Sequence, residues 1–135
     1  MRIILGIDIG GSTTKIVGLR PDGTVLSMLR VQAEDPLTSL YGALGNFLSC
    51  NSMVLTDIVH IVLTGVGASY VKENIYGIPT RMADEFTASG IGGLTLSGAD
   101  KAVVVTMGTG TAFIWADKNG EIRQLGGTGI GGGTL

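Results

Sequence analysis

The chain has 135 residues and a formal net charge of −2, with 44% apolar and 15% charged residues, values that suit one folded domain with a hydrophobic core. There is no clustered basic surface of the kind that binds nucleic acid, and no apolar run approaches the roughly 18 residues of a membrane-spanning helix. We therefore expect neither a nucleic acid nor a membrane as a partner.

The first half of the chain predicts a β-meander followed by a helix. Residues 2–9 are mostly apolar and predict a strand that is buried on both faces. Residues 13–20 alternate as a second strand would, and residues 24–32 form a third strand after a Pro-Asp-Gly turn. Asp35 then caps a helix over residues 36–49, whose apolar residues recur at helical spacing.

The second half alternates strands and helices. Residues 57–65 predict a strand that ends in a glycine turn, and residues 68–77 predict a short helix closed by Gly77. A further helix begins in residues 83–90. Residues 101–110 predict a buried strand that runs into a loop, and residues 111–127 predict a hairpin. The order of the elements favours a mixed sheet with helices on its faces.

Glycine is unusually frequent, with 23 residues in 135. The glycines cluster between apolar β runs rather than in one polar tract, which argues against low-complexity disorder. Because glycine lets the backbone turn tightly or approach a ligand closely, we expect a ligand crevice at the strand ends. The clusters lie at residues 10–11, 65–67, 108–110 and 126–133.

The chain contains a single cysteine, Cys50, and a single histidine, His60. We expect both to be buried packing residues. A lone cysteine cannot form an internal disulfide and is consistent with a reducing compartment. The first residues lack the basic region, apolar stretch and cleavage site of a signal peptide, so we expect a cytoplasmic protein.

A group of polar residues interrupts the apolar start of the chain and predicts a phosphate site. Backbone N–H groups and hydroxyls in such a turn form a concavity that binds anions, and Lys15 adds a positive charge. Asp8 would repel phosphate unless a cation lay between them, so its natural partner is hydrated Mg²⁺. The alternative is an ordinary hairpin with a surface Asp and Lys. We call residues 10–13 the first phosphate turn; it consists of Gly10, Gly11, Ser12 and Thr13.

Four stretches in series resemble a known superfamily. "GIDIGGSTTKIVG" is similar to the first phosphate motif of the sugar-kinase, heat-shock-protein and actin superfamily, and "VVVTMGTGTAFIW" is similar to its second phosphate motif. The glycine loop "GGTGIGGGT" after the hairpin resembles type II pantothenate kinases. So does "TG" at 64–65, followed about twenty residues later by "EF" at 85–86.

This resemblance implies an α/β fold with a ribonuclease H-like mixed sheet, an antiparallel β-meander start and flanking helices. It implies one half of a two-domain actin-like ATPase fold. Residues 1–135 would be the N-terminal phosphate-binding domain, and the adenosine-binding domain would lie outside this chain. We therefore expect an N-terminal part of a longer kinase, one that does not turn over alone and whose full-length parent is a homodimer.

By position, the resemblance also implies which residues hold ATP. Asp8 would orient Mg²⁺ through a bound water. The first phosphate turn would hold the ATP phosphates, with Lys15 steering them. A second loop would hold them as well; we call it the second phosphate loop, and it consists of Gly108, Thr109, Gly110 and Thr111.

The resemblance places the catalytic base at Glu85, which would take the proton from the pantothenate hydroxyl. An alcohol that attacks a γ-phosphoryl group needs a base at the attacking oxygen, together with positioning and charge neutralisation. Asp84 is the competing carboxylate, because either residue of the pair could point into the site. Without the resemblance, such a pair at a helix start is a solvated pair that suits the helix dipole.

Pantothenate would be bound by Arg123 and the last glycine loop. The family shows two adjacent basic residues before this loop, whereas Gln124 follows Arg123 here. This departure leaves the identity of the acceptor open, and a solvated hairpin arginine is the alternative for Arg123. The glycines assigned to the substrate are Gly126, Gly127, Gly131 and Gly132.

The leading interpretation is an ATP-dependent pantothenate kinase that uses ATP and Mg²⁺ and catalyses the first step of coenzyme A biosynthesis. One alternative is a sugar or amino-sugar kinase of the same superfamily. Another is an ATPase that activates an iron–sulfur dehydratase, since such proteins open with a similar hairpin. They need cysteines to hold a bridging cluster, and Cys50 has no second cysteine in this chain.

Overall fold

A computed structural model describes residues 1–132, so Gly133 and the two residues after it lie outside the described part of the chain. The chain divides into two compact units, Met1–Ala83 and Asp84–Leu135. The assignment of the whole chain to one phosphate-binding domain stays a prediction.

The first unit is built on a five-stranded mixed sheet. The strand order is β3-β2-β1-β4-β5, with β1, β2 and β3 antiparallel and with β4 parallel to both β1 and β5. The predicted meander and mixed sheet are confirmed. The strands are β1 (Ile3–Ile9), β2 (Thr13–Leu19), β3 (Val25–Gln32), β4 (Ile58–Thr64) and β5 (Thr80–Met82).

One helix covers one face of this sheet. Helix α1 spans Pro36–Cys50, and its N-cap Asp35 accepts a hydrogen bond from the Thr38 N–H at 2.7 Å, as the sequence predicted. The helix packs closely on β2, because a Cβ added at Gly18 would lie 2.7 Å from the Phe47 ring. The buried side chains of this core include Ile3, Leu5, Ile7, Ile9, Ile16, Leu40, Leu44, Phe47, Ile61 and Leu63.

The predicted helix over residues 68–77 is wrong. Only a short 3₁₀ turn forms, at Val66–Tyr70, and Gly77 lies in a turn with a φ of +75°. The backbone then returns as β5, a three-residue strand that pairs with β4. Apolar spacing over ten residues resembled a helix, but here Ile75 and Ile78 bridge each other across a turn and are buried in the core.

Three predictions of burial in this unit are also wrong. Strand β1 is buried on one face only, and Ile4 on the other face is 36% exposed. Cys50 is exposed at the end of α1, and His60 is exposed on the sheet face opposite α1. Apolar composition shows that a strand has a buried face but cannot show whether a second layer covers the other face.

The second unit pairs a helix with a three-stranded antiparallel sheet in the order β6-β7-β8. Glycines let the helix approach the sheet, since a Cβ at Gly93 would lie 2.5 Å from a methyl group of Val104. The predicted hairpin is confirmed. The elements are α2 (Glu85–Ser97), β6 (Lys101–Met107), β7 (Thr111–Asp117) and β8 (Ile122–Thr128).

The prediction that β6 is buried is wrong. Val103 and Met107 are 50% and 75% exposed, because α2 lies against the opposite face of the sheet. Strand β6 is therefore a half-buried strand in which exposed and partly buried residues alternate. Within residues 1–132, no helix has the length and apolar character needed to cross a membrane.

Candidate functional site

The first phosphate turn closes the hairpin between β1 and β2. The Gly10 N–H donates to the Thr13 carbonyl at 2.9 Å, and a Cβ at Gly10 would lie 2.9 Å from that same oxygen. A Cβ at Gly11 would meet open space. The N–H groups of Gly11 and Ser12 donate to no acceptor within residues 1–132, so both remain available to an anion.

Asp8 and Lys15 face each other across the same hairpin. They are paired residues of β1 and β2, and the Lys15 Nζ donates to the Asp8 Oδ2 at 2.8 Å. The side chains are 53% exposed for Lys15 and 33% exposed for Asp8. The sequence placed these two charges in one site, and the structure brings them together as an ion pair.

The end of β4 completes the surroundings of Asp8. Thr64 is the register partner of Asp8 on β4, and its hydroxyl is buried with no hydrogen-bond partner within residues 1–132. Gly65 follows with a φ of +91° and a ψ of 167°, and an added Cβ there would collide with the Asp8 Oδ1. The backbone at this point is tolerated almost only by glycine.

These atoms fit a small hard cation. A carboxylate and a hydroxyl are oxygen ligands of the kind that Mg²⁺ accepts, directly or through water. The unpartnered Thr64 hydroxyl next to Asp8 is the observation that supports such a site. Sequence reasoning used "TG" at 64–65 only as a family signature and missed Thr64 as a candidate. A hydroxyl at the end of a strand next to the Asp8 strand was the available signal.

The structure gives Asp84 and Glu85 different roles. Asp84 is the N-cap of α2, and its Oδ2 accepts from the Thr87 N–H at 2.9 Å and from the Thr87 hydroxyl at 3.0 Å. Glu85 is the first helical residue and is exposed, and its carboxylate makes no hydrogen bond or ion pair within residues 1–132. Asp84 thus stabilises the start of α2 as its N-cap, whereas the Glu85 carboxylate has no hydrogen-bond or ion-pair partner in the described part of the chain.

The second phosphate loop is held by the chain that follows β8. The Thr111 hydroxyl donates to the Ile130 carbonyl at 2.8 Å, and the Gly108 N–H donates to the Gly110 carbonyl at 2.8 Å. A Cβ at Gly131 would lie 2.5 to 2.8 Å from the carbonyl oxygens of three loop residues, 108 to 110. The structure therefore brings together the second phosphate loop and part of the predicted substrate loop.

The remaining predicted substrate residues lie on or near β8. Arg123 forms an ion pair with Glu121, with 3.3 Å between the Arg123 Nε and the Glu121 Oε1, and both side chains are more than half exposed. Sequence reasoning missed Glu121 as the partner. Gln124 reaches the glycine loop, since a Cβ at Gly127 would lie 3.4 Å from the Gln124 Nε2. Gly126 and Gly132 are less crowded.

The fold has well-matched solved relatives. No family model and no curated protein sequence matches the chain. Component A of the (R)-2-hydroxyglutaryl-CoA dehydratase of Acidaminococcus fermentans superimposes with a TM-score of 0.73 at 17% identity, covering 94% of this chain and 46% of that one. The activator of the 2-hydroxyisocaproyl-CoA dehydratase of Clostridium difficile, with bound ADPNP, gives 0.72 at 19% identity, covering 93% and 44%.

A third neighbour is a Chromobacterium violaceum protein described as an N-acetylglucosamine kinase, with a TM-score of 0.65 and 20% identity, covering 92% of this chain and 48% of that one. The chain has the fold of the actin-like ATPases and sugar kinases. This confirms the predicted fold class. The chain spans about half the length of these actin-like relatives, and at such low identity the similarity shows the fold and not the substrate.

Proposed function

We propose that this chain is the N-terminal, phosphate-binding part of an ATP-dependent kinase that phosphorylates pantothenate to 4′-phosphopantothenate, the first step of coenzyme A biosynthesis. The observation that carries the proposal is that the neighbouring carboxylates of Asp84 and Glu85 make different contacts. One carboxylate caps α2, and the other has no structural partner within residues 1–132. The proposal includes a cytoplasmic location and a homodimeric full-length parent.

The first phosphate turn binds ATP through its backbone. The unpaired N–H groups of Gly11 and Ser12 donate to phosphate oxygens, as in other anion-binding turns. Lys15 adds a positive charge next to the turn. An actin-like neighbour with bound ADPNP supports nucleotide binding by this fold. Gly108, Thr109, Gly110 and Thr111 bind phosphate in the same proposal.

Asp8 and Thr64 hold Mg²⁺, with water completing the coordination. When bound, the metal neutralises phosphate charge and orients the transferring group. Gly65 serves this arrangement because a side chain at that position would displace the Asp8 carboxylate.

Glu85 accepts the proton of the attacking hydroxyl. Its carboxylate lies in the first turn of α2, where no structural hydrogen bond has to break before it acts. Phosphoryl transfer needs little covalent help from the protein, so positioning and a base at the attacking oxygen are its main requirements. Arg123 binds the pantothenate carboxylate, and Gly126, Gly127, Gly131 and Gly132 let the backbone approach the acceptor.

The test is an ADP-release assay on the full-length parent, with pantothenate against a panel of sugars. Glu85→Gln keeps the shape of the side chain but removes the base, so we expect kcat to fall by about 10²–10⁴-fold with nearly unchanged ATP affinity. Asp84→Asn is the matched control, because asparagine is an equally good N-cap. A sugar preferred over pantothenate would refute the acceptor. Full activity of both variants would refute the carboxylate base.

A second candidate is an ATPase that activates a dehydratase, favoured by the TM-scores of 0.73 and 0.72 with two proteins of that description. This function would require a cluster-binding thiol. Cys50 is exposed at the end of α1 and hydrogen-bonded to the Asn46 side chain at 3.2 Å. Anaerobic reconstitution with iron and sulfide, followed by absorption spectroscopy, tests it. A cluster that Cys50→Ser abolishes would favour the activator.

A further inference from the structure

Four side chains form a row across the first unit, on the sheet face opposite α1. The strand registers pair Thr64 with Asp8, Asp8 with Lys15, and Lys15 with Arg30. The neighbouring core-facing residues of β1 are fully buried, so the row lies on the other face. Sequence reasoning had connected only Asp8 and Lys15, because Arg30 is fifteen positions further along the chain.

Arg30 carries a charge that nothing in the described chain compensates. Its side chain is exposed on the edge strand β3, and its guanidinium makes no hydrogen bond or ion pair within residues 1–132. Directly opposite residues of antiparallel strands have Cβ atoms about 4.5–5.5 Å apart, and like charges there destabilise a sheet. Lys15 and Arg30 are such a pair. The Asp8 carboxylate, which pairs with Lys15, offsets part of this repulsion, and an anion over both cations would offset the rest.

Arg30 also decides the net charge of the row. Asp8 and Lys15 neutralise each other through their 2.8 Å contact, so together they offer an anion little net attraction. Arg30 leaves the row with one positive charge next to the N–H groups of the first phosphate turn. Its guanidinium can bind a phosphate group through two parallel hydrogen bonds, which a lysine cannot do.

We propose that Arg30 is a nucleotide-binding residue that, together with Lys15, holds the triphosphate at the first phosphate turn. The proposal rests on the nucleotide binding proposed above and adds a contact from β3. Arg30 donates hydrogen bonds to phosphate oxygens and contributes nothing to recognition of adenosine or of the phosphoryl acceptor. The cost of two facing cations is relieved when the polyphosphate binds.

The test is isothermal titration calorimetry of the protein with ATP, inorganic tripolyphosphate and adenosine, in buffer that contains Mg²⁺. Arg30→Gln should weaken ATP and tripolyphosphate binding about 3- to 30-fold, the range for a charge-assisted contact at an exposed position. Arg2→Gln is the matched control. Arg2 carries the same charge but lies six residues before Asp8 in the sequence, about 20 Å away at 3.3 Å per residue of extended strand. Its replacement should leave the affinities for ATP and tripolyphosphate unchanged. Arg30→Lys should recover only part of the loss.

A second measurement separates ligand binding from a structural role. Without ligand, Arg30→Gln should have a slightly higher Tm than the parent chain, because a like-charge pair is removed. Arg2→Gln should not. A lower Tm together with weaker binding would assign Arg30 a structural role and overturn the proposal.

The outcomes also separate this proposal from the proposed function. Unchanged ATP and tripolyphosphate affinity in Arg30→Gln would overturn the role of Arg30 and leave the nucleotide site intact. No binding of either polyphosphate by the parent chain would overturn both. Weaker binding in Arg30→Gln, combined with full turnover in Glu85→Gln, would keep Arg30 and refute the base.

Discussion

The first phosphate turn and the second phosphate loop look alike in sequence but are held in different ways. Each joins two antiparallel strands and each has an internal backbone hydrogen bond, at 2.9 Å in the first and 2.8 Å in the second. The first is flanked by the Asp8–Lys15 ion pair and by the close backbone of Gly65. In the second, the Thr111 hydroxyl donates to the Ile130 carbonyl in the chain after β8, and Gly131 in that chain lies against the loop carbonyls.

This difference shows that one kind of glycine motif can be stabilised by charge or by backbone packing. Charged contacts at a surface are weak, screened by salt and free to exchange partners when a ligand arrives. Backbone packing is insensitive to salt and intolerant of added atoms. We therefore expect the first turn to respond to charge and the second loop to respond to bulk. The first turn also depends on close packing at one residue, Gly65, whose backbone lies against Asp8.

The largest effect should come from Gly65→Ala. Its φ and ψ fall in a region that is nearly exclusive to glycine, and the new methyl group would collide with the Asp8 carboxylate. Backbone strain and overpacking together should cost about 2–5 kcal/mol of unfolding free energy. Gly77→Ala is the control, with a φ of +75° but open space around the Cβ. It should cost about 1–2 kcal/mol.

Amide hydrogen exchange in β1 and β4 measures the loss in the first unit. Equal losses in the two variants would show that both the Asp8 carboxylate and the Ile9 backbone carbonyl can move away from an added methyl group. In that case the first turn would depend on charge alone, and the contrast between the two loops would be sharper.

Gly131→Ala should have the next largest effect, in the second unit. The added Cβ would lie 2.5 to 2.8 Å from three backbone carbonyl oxygens, which cannot rotate away as a side chain could. We expect a loss of about 1–3 kcal/mol. Gly132→Ala is the control, since its Cβ would lie 3.6 Å from the Gly108 carbonyl, an ordinary contact.

Urea unfolding followed by the fluorescence of Trp115 on β7, the only tryptophan, reports this loss. If the two alanine variants unfold at the same urea concentration, the second loop tolerates bulk and the comparison with the first turn fails.

Two smaller stability losses, those of Lys15→Gln and Thr111→Val, should differ in their dependence on salt concentration. Lys15→Gln removes a partly exposed ion pair but also relieves the repulsion between Lys15 and Arg30, so it should cost at most about 1 kcal/mol at low salt. The loss should disappear near 1 M salt, where the screening length is about 3 Å. Thr111→Val removes the hydrogen bond to Ile130 and should cost about 0.5–1.5 kcal/mol at either salt concentration. A Thr111→Val loss that salt abolishes would contradict this distinction.

The smallest effect concerns acid and the start of α1. The hydrogen bonds from the Thr38 backbone N–H and side chain lower the pKa of Asp35 below its usual value of 3.8. A lowered pKa in the folded state means that the contribution to stability is complete above that usual value and is lost as the pH falls through the folded-state pKa. Asp35→Asn keeps the cap and should remove this part of the acid sensitivity, measured by urea unfolding between pH 2 and 5. An unchanged pH profile would contradict the assignment.

Local features of the fold could be predicted from the sequence with good accuracy. The meander, the Asp35 cap, the first helix and the final hairpin depend on alternation, capping and turn residues within a few positions of each other. Strand β5 could not be predicted, because three residues carry no pattern and are held by pairing with β4. Exposure of Cys50 and His60 could not be predicted either, since burial depends on which layers cover an element.

In the candidate site, too, local features could be predicted from the sequence and long-range contacts could not. By itself the sequence determined the residue types of a phosphate turn, a glycine loop and a carboxylate pair, because these chemistries need particular residues at short spacing. Only the tertiary structure decided that Asp84 caps α2 while Glu85 is left unpaired. Strand pairing likewise placed Thr64 and Arg30 in one row with Asp8 and Lys15, because the register of a sheet joins residues that are far apart along the chain.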